Sequence, residues 1–561
     1  MTQRRNFIKS IGLLAAGSAV VPGALAQKSQ DTDCLQSDST GSDEFTLNIL
    51  QTTDVHCQLH PHDEMFWENG QKVFRKVGGY AYLSTFVKNE RKKNPNTFLI
   101  DTGDMFQGSE LSIETTGKAI VPILNEMRYD LYLPGNWEVV YYKPRMMELM
   151  GSLNAPKICA NMFHDTGNQT KGEYVFPPYY IWHIHGVKIG FIGYTDHLVP
   201  LRQSPNYSKG IIYTKPEENI AYFVDVLKNQ EKCAFVIVIA HIGLSQQIHL
   251  ANLPETAGVD YIFGADTHER VRKPIQCKYA KVVEPGAFGS FIGKLELKIK
   301  DGKVIRDKYS FIEINPGQLK EDKKVSEIIR EAEAPYKAEI NAVAGYSRQP
   351  LYRYFVIENT IDTLILNAIR YKMGDSTDII LSNGFRFCPP NATPDHTGNI
   401  PITNGYIFDM LPIDSQVKTA KATGKQIITW LEKELNNVFA ANAAERFGGW
   451  MIKFNGMEIS FRAFGENGKR VEEIIIGNMP IDAEKMYSIA ACERDGDPDD
   501  MICRMRNVKE PKLQYFTLHQ CIKEYLAANS PVDLTISGKA KVLDASPDLL
   551  TQVSGVDYEF R

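Results

Sequence analysis

The sequence predicts an α/β protein built as a layered domain followed by at least one more domain. Apolar runs of strand length alternate with helix-length intervals through the first half, the pattern of sheets covered by helices. One run, residues 234–240 (AFVIVIA), is apolar throughout, as a strand buried on both faces must be. The chain's 561 residues are too many for one core and suit domains of roughly 100–200 residues each.

In order, the N-terminus comes first. Residues 1–26 carry paired arginines (Arg4, Arg5), an apolar stretch and a small-residue exit at Ala24, Leu25 and Ala26. This is the pattern of a twin-arginine export signal cut before Gln27. The apolar stretch is broken by Gly17, Ser18, Pro22 and Gly23, short of the about 20 residues that span a bilayer. The expectation is a periplasmic or otherwise exported chain with no stable membrane insertion. Residues 27–44, rich in Ser, Asp, Thr and Gly, read as a flexible leader.

A net charge of −5, from 63 basic and 68 acidic residues, argues against a nucleic-acid polymer or an anionic membrane as partner. The nine cysteines contain no C-x-x-C pair, so they form no zinc framework and, being odd in number, no complete disulfide set. Cys57 reads as a buried thiol.

The first strand, residues 45–50, leads into Asp54 and His56. Residues i and i+2 of an extended segment point the same way, so a carboxylate and an imidazole leave together. A helix near residues 80–93 follows, then a strand at 97–100 that ends in Asp101, Gly103 and Asp104. Gly103 permits the tight turn, and the two oxygens of Asp104 could bridge two ions. After a helix near 120–127, a short strand leads to Gly135, Asn136, Trp137 and Glu138, where Asn136 offers a neutral oxygen. Strands are expected at 157–160 and 187–193, a helix at 217–229, and the 234–240 strand runs into His241. A last apolar strand ends in Asp266 and His268, again at i and i+2.

Open α/β sheets gather ligands beyond the carboxyl ends of their strands. Asp54, His56, Asp104, Asn136, His241, Asp266 and His268 can therefore converge, and such mixed O/N donors suit two divalent ions such as Mn, Fe or Zn. His60, His62, His183 and His185 lack a strand-end setting and read as surface or core residues. A charged helix near 320–339, within a connector at 319–345, separates the first domain from residues 346–561.

The blocks TTDVH, DTGD, GNWE, AHIG and GADTH resemble, in order, the D-x-H, G-D, G-N-H-E, H and G-H-x-H blocks of the calcineurin-like binuclear metallophosphoesterases, over residues 45–312. The resemblance implies a four-layer domain at 45–318, a β-sandwich flanked by helices. It also implies that Asp54, His56, Asp104 and His268 hold one ion while Asp104, Asn136, His241 and Asp266 hold the other. Further on, LSNGFRFCPP, ITNGYIFDMLPID and TGKQIITWLEKELNN resemble the C-terminal α/β domain of 5′-nucleotidases, in which Arg386, beside Asn383, would face the substrate. Together these indicate the two-domain 5′-nucleotidase superfamily. That implies a hydrolase in which a hydroxide between two ions, Mn foremost with Zn or Fe as alternatives, attacks a tetrahedral phosphorus or sulfur centre, and in which Asn136 orients metal and substrate.

Two departures bear on the substrate. Asp266 replaces a family histidine, keeps a ligand atom and favours a harder ion such as Mn. Trp137 replaces the histidine that would protonate a departing alkoxide, which an indole cannot do; the expected role of Trp137 is to shape and dry the pocket. A leaving group that needs no proton fits better, and GNWE with Tyr141 and Tyr142, together with GFRF, looks most like the SoxB thiosulfohydrolase branch. The expected substrate is then a small anion or a sulfonated carrier protein. The alternatives are a 5′-nucleotidase or other phosphoesterase of nucleotide catabolism, and a catalytically impaired binding protein. ERDGDPDDM (493–501) stands where nucleotidases carry a stacking aromatic and has none, leaving Phe447, Trp450 and Phe461 as candidate stacking faces.

Overall fold

The computed structural model describes residues 27–28, 44–383 and 388–548. The expected export signal, most of the leader, and Arg386 lie outside the described residues. Gln27–Lys28, at the start of that leader, pairs in parallel with Tyr180 and Ile181. No helix among the described residues is long and apolar enough to cross a membrane.

The first domain is a sandwich of two mixed sheets. One sheet of five strands carries Glu44–Thr52 beside Thr97–Asp101, and Leu131–Tyr132 at its edge. The other, of seven strands, centres on Val187–Thr195, Phe235–His241 and Tyr261–Gly264, all parallel. Along Phe235–His241 the side chains alternate between two cores. Phe235, Ile237 and Ile239 face Leu47, Ile49 and Leu99 of the opposing sheet, while Val236, Val238 and Ala240 lie in a separate cluster with Ile220, Phe223 and Leu250. The continuous apolar run is thus explained, since both faces of the strand are buried. With Tyr80–Lys93 and Val121–Met127 joining the first core, the order is helix, sheet, sheet, helix.

Register sets where the strands end. Thr52 pairs with Asp101 and Asp101 with Tyr132 in one sheet, while Thr195 pairs with His241 and Ala240 with Gly264 in the other. The residues that follow these ends therefore emerge together.

The expected strand at 157–160 does not form. Only Lys157 makes a bridge, to Tyr132. Beyond it the Ile158 amide donates to Tyr132, the Cys159 amide to Pro177 and the Ala160 amide to Gly193. The segment passes from one sheet to the other instead of running along either.

The connector contains the helix Lys323–Glu333. Its N-cap Asp322 accepts from the Ser84 hydroxyl at 2.8 Å, and its Val325 and Ile329 sit in the first domain's core, so it is packed against that domain. The second domain has a five-stranded sheet containing Ile379–Ser382, Gln416–Thr423 and Met486–Cys492, and a four-stranded one. The domains dock through several contacts. Tyr354 donates to Glu64 at 2.6 Å, Asp63 accepts from the Ala392 and Thr393 amides at 2.8 and 3.0 Å, and Trp137 and Val140 join a core otherwise built from the second domain. Eight cysteines are free among the described residues. Cys57 is the buried thiol expected, its pKa pushed up to about 12 by burial.

Candidate metal centre

The strand-end residues converge. The Nε2 atoms of His56 and His268 lie 3.1 Å apart, and His268 Nε2 is 3.4 Å from Asp54 Oδ1. His241 Nε2 lies 3.1 Å from Asp104 Oδ2 and 3.8 Å from Asp54 Oδ1, and His56 Nε2 is 3.8 Å from Asp104 Oδ2. Two metal-sized groups result, Asp54, His56 and His268, and Asp54, Asp104 and His241. Asp54 belongs to both. Asp266 stands at the rim of the second, its Oδ1 3.9 Å from His241 Nε2. Asn136 turns its amide nitrogen to Asp266 Oδ1 at 2.6 Å and accepts on its oxygen from Gln203 at 3.3 Å.

The backbone reaches this arrangement by a different route from the extended one expected. Asp54, His56, Asp104, Asp266 and His268 all lie beyond their strands with positive φ, of 47, 47, 62, 85 and 58°. Such left-handed residues cost energy and collect at functional sites. The pairs Asp54/His56 and Asp266/His268 come together through tight left-handed turns, not through the two-residue repeat of a strand. These turns are knitted to each other: the Asp54 amide donates to Gly103 and the His56 amide to Asp104, each at 2.9 Å. Gly103 is required there, because at its φ of 108° a Cβ would sit 2.6 Å from Gly135 Cα and 2.7 Å from His241 Nδ1.

Two histidines are oriented by bonds on their far sides. His56 Nδ1 donates to the Gln107 carbonyl at 2.9 Å and His241 Nδ1 to the Thr102 carbonyl at 2.8 Å. Each ring thereby presents Nε2 to the centre, as outer-shell partners of metal-bound histidines do. His241 Nε2 is buried without a hydrogen bond. Burial pushes the His56 pKa down to about 4, which leaves its Nε2 lone pair available. Burial raises Asp54, but the imidazoles of His241, His268 and His56 outweigh it and hold the carboxyl below its usual range. Two carboxylates and three imidazoles buried around one point, with Asp266 at the rim, are costly without a compensating charge, and their O/N mixture suits divalent ions. The donor set therefore fits divalent metal ions.

Several supporting residues carried no individual assignment from the sequence. Glu138 accepts from the amides of Asp104, Met105 and Gly135 at 3.1, 2.7 and 2.6 Å. Asp101 accepts from Thr52 at 2.6 Å and from the Gly103 amide at 2.9 Å. Glu284 accepts from Thr267 at 3.0 Å, the Glu269 amide at 2.8 Å and Gln247 at 3.0 Å. Arg202 bridges Asp196 and Asp266, each at 3.0 Å. Glu138 and Asp101 lay inside visible motifs; Glu284, Arg202 and Gln203 had no spacing signal.

The centre forms one wall of a cavity of about 270 Å³ between the domains. Asp104, Asn136, Trp137, Asp266 and His268 face Asn383, Phe447, Trp450 and Glu493 across it. Phe461, expected as a possible stacking face, is fully buried in the second domain's core. Phe447 has the guanidinium carbons of Arg202 and Arg504 over its ring at 5.6 and 5.7 Å.

The calcineurin-like phosphoesterase family matches residues 47–270, and the 5′-nucleotidase C-terminal domain family matches residues 342–493. The chain belongs to the two-domain 5′-nucleotidase superfamily. Within that superfamily it is similar to the trifunctional nucleotide phosphoesterase protein YfkN of Bacillus subtilis, 23% identical over 80% of this chain and 31% of that relative. The chain spans about a third of the length of the first curated relatives it matches. Among solved structures it resembles the sulfate thiohydrolase SoxB of Thermus thermophilus, with a TM-score of 0.79 at 19% identity over 90% of this chain and 98% of that one. It also resembles a 5′-nucleotidase precursor from Thermus thermophilus, with a TM-score of 0.75 at 22% identity over 90% and 100%. At such identities the likeness is one of fold.

Proposed function

We propose that the chain is a hydrolase dependent on two divalent ions, Mn foremost, acting on a tetrahedral sulfur or phosphorus centre. The observation that carries this is the convergence of Asp54, His56, Asp104, His241 and His268 into two overlapping ligand groups, of which Asp104 and His268 reach the wall of the interdomain cavity. Asp54, His56, His268 and Asp104 would hold one ion, and Asp104 and His241, with Asp54 near both, the other. Asp266 and Asn136 stand beside the second. Bound ions of this kind lower the pKa of water and neutralise the attacked oxyanion.

The chain's own residues do the rest. Glu138 fixes the Asp104 turn through three amide hydrogen bonds. His56 and His241 are held in one orientation by the Gln107 and Thr102 carbonyls. Trp137, 6% exposed, closes the cavity against the second domain with Val140 and Ile365 and excludes water. Arg386, outside the described residues, would bind the substrate's anionic oxygens by its planar fork.

The reading we favour is sulfate release from an S-sulfonated thiol on an exported carrier: R–S–SO₃⁻ and water give R–SH and hydrogen sulfate. The S–S bond breaks, an S–O bond forms, and the electron pair leaves on a sulfur that is stable as an anion. Trp137 supports this, because no proton donor stands at the position where an alkoxide would need one. The 493–501 loop supports it too, since its sequence, ERDGDPDDM, holds no aromatic to stack on a nucleobase. A nucleotidase reading is favoured by Trp450, an aromatic on the second-domain side of the cavity. The deciding experiment compares sulfate release from S-sulfonated thiols with phosphate release from AMP by the Mn-loaded protein. Sulfate alone supports the first reading, phosphate alone the second, and neither product with two bound ions supports a binding protein.

A further inference from the structure

Both oxygens of Asp266 are engaged. Oδ1 accepts from Asn136 Nδ2 at 2.6 Å and Oδ2 from Arg202 Nη1 at 3.0 Å. Asn136 is in turn held by Gln203, whose Nε2 donates to its oxygen at 3.3 Å. Two adjacent residues of one segment therefore orient the two side chains beside the second metal group. That segment is poorly placed to hold its own shape, because the helix Val199–Arg202 is a single turn, and one turn is unstable by itself.

The second domain holds it. Arg494 donates to the carbonyls of Leu201 and Gln203, the latter at 3.3 Å. Asp495 Oδ2 accepts from Ser204 Oγ at 3.1 Å and Asn206 Nδ2 at 2.9 Å. Gly496, at φ 82°, lets this loop approach so closely that a Cβ would meet Pro205 Cγ at 2.9 Å. A continuous path of contacts runs from Arg494 and Asp495, through Arg202 and Gln203, to Asp266 and Asn136.

We propose that Arg202 and Gln203 are positioning residues for the second ion, and that the Arg494–Asp495 clasp makes that ion's affinity depend on docking of the second domain. This rests on the two-ion reading above. Outer-shell partners of metal ligands are typically worth about 10–100-fold in affinity, and a coupling of this kind is reciprocal, so ion binding tightens the clasp in return. Arg202 itself is a poor test, since removing its charge beside a cation changes affinity electrostatically as well as by position.

The test uses the double variant Arg494→Met/Asp495→Asn, which removes one charge of each sign and leaves the net charge unchanged. Mn²⁺ titration calorimetry on the full chain should resolve two sites in the natural protein. In the variant one of the two sites should lose about 10-fold or more in affinity while the other is unmoved. Should the variant not fold, hydrogen exchange on the natural protein decides: Mn²⁺ should slow exchange at residues 201–206 and 494–497. Two sites with unchanged affinities in the folded variant, or exchange in both segments indifferent to Mn²⁺, overturn the coupling. Fewer than two ions on the natural protein overturn the two-ion reading itself, and the coupling falls with it.

Discussion

The carboxyl of Glu138 receives the amide of Asp104 at 3.1 Å, and with it the amides of Met105 and Gly135, so the turn that carries Asp104 is built around a buried carboxyl. Burial, then the Asp104 carboxylate, pushes the Glu138 pKa up to about 8 against the Met105 and Asp104 amides and His241. Glu138→Gln exchanges one accepting oxygen for an N–H₂ that must face amide donors. An unsatisfied buried group costs about 1–3 kcal/mol. Metal affinity should fall about 10–100-fold, measured by Mn²⁺ titration; unchanged affinity would remove Glu138 from the support of Asp104.

Asp104 itself is the next position to test. Its Oδ2 lies 3.1 Å from His241 Nε2 and 3.8 Å from His56 Nε2, between the two histidines. Asp104→Ala should leave the protein with about one ion fewer per chain, read by elemental analysis after gel filtration, because a bridging carboxylate serves both ions. Full occupancy in the variant would contradict the bridging role. Chelation of the natural protein should likewise lower its unfolding midpoint, since ions that bind only the folded state stabilise it.

How much of this was open to a reader of the sequence divides along physical lines. The ligands were legible because each follows an apolar run, and the carboxyl ends of the strands in the two packed sheets lie together. Asp54 and His56 do not meet through the two-residue repeat of a strand. Their φ angles of 47° belong to a left-handed turn, a conformation no residue-spacing rule predicts for Asp or His. The 157–160 run failed as a strand because its amides are divided among Tyr132, Pro177 and Gly193, partners known only once both sheets exist. Arg202 and Gln203 were invisible for a similar reason: nothing local marks an arginine whose partners, Asp196 and Asp266, sit on two different strand ends.

Trp137 gives a prediction with two readouts. It is 6% exposed and packed with Leu364 and Ile365 of the second domain. Trp137→His removes part of that packing, and large-to-small changes in a core are destabilising, so the unfolding midpoint should fall. If a nucleoside seats in the cavity, the new imidazole should raise AMP hydrolysis toward the about 10²–10⁴-fold typical of a general acid. A folded variant without gain on AMP would indicate that nucleoside binding is missing as well.

The interface between the domains should respond to pH through two carboxyls that are not metal ligands. Glu110, 3% exposed, lies on the helix Glu110–Glu114 that packs against Asn404–Met410, which carries Asp409. Burial, then the neighbouring Glu339 and Glu114 carboxylates against the pull of Lys523, pushes Glu110 up to about 7. Burial and Glu110 push Asp409 up to about 7 against its hydrogen bond from Gln58. In the unfolded chain both titrate near about 4. The folded protein therefore binds more protons between these values, and stability must fall as pH rises through that window, the loss being complete above the folded pKa. The unfolding midpoint of the natural protein should drop by about 3–5 °C between pH 5 and pH 8 on this account. Glu110→Gln/Asp409→Asn should flatten that part of the profile, because neither amide titrates. Calorimetry at both pH values checks it, and an equal drop in the double variant would assign the pH response to other groups.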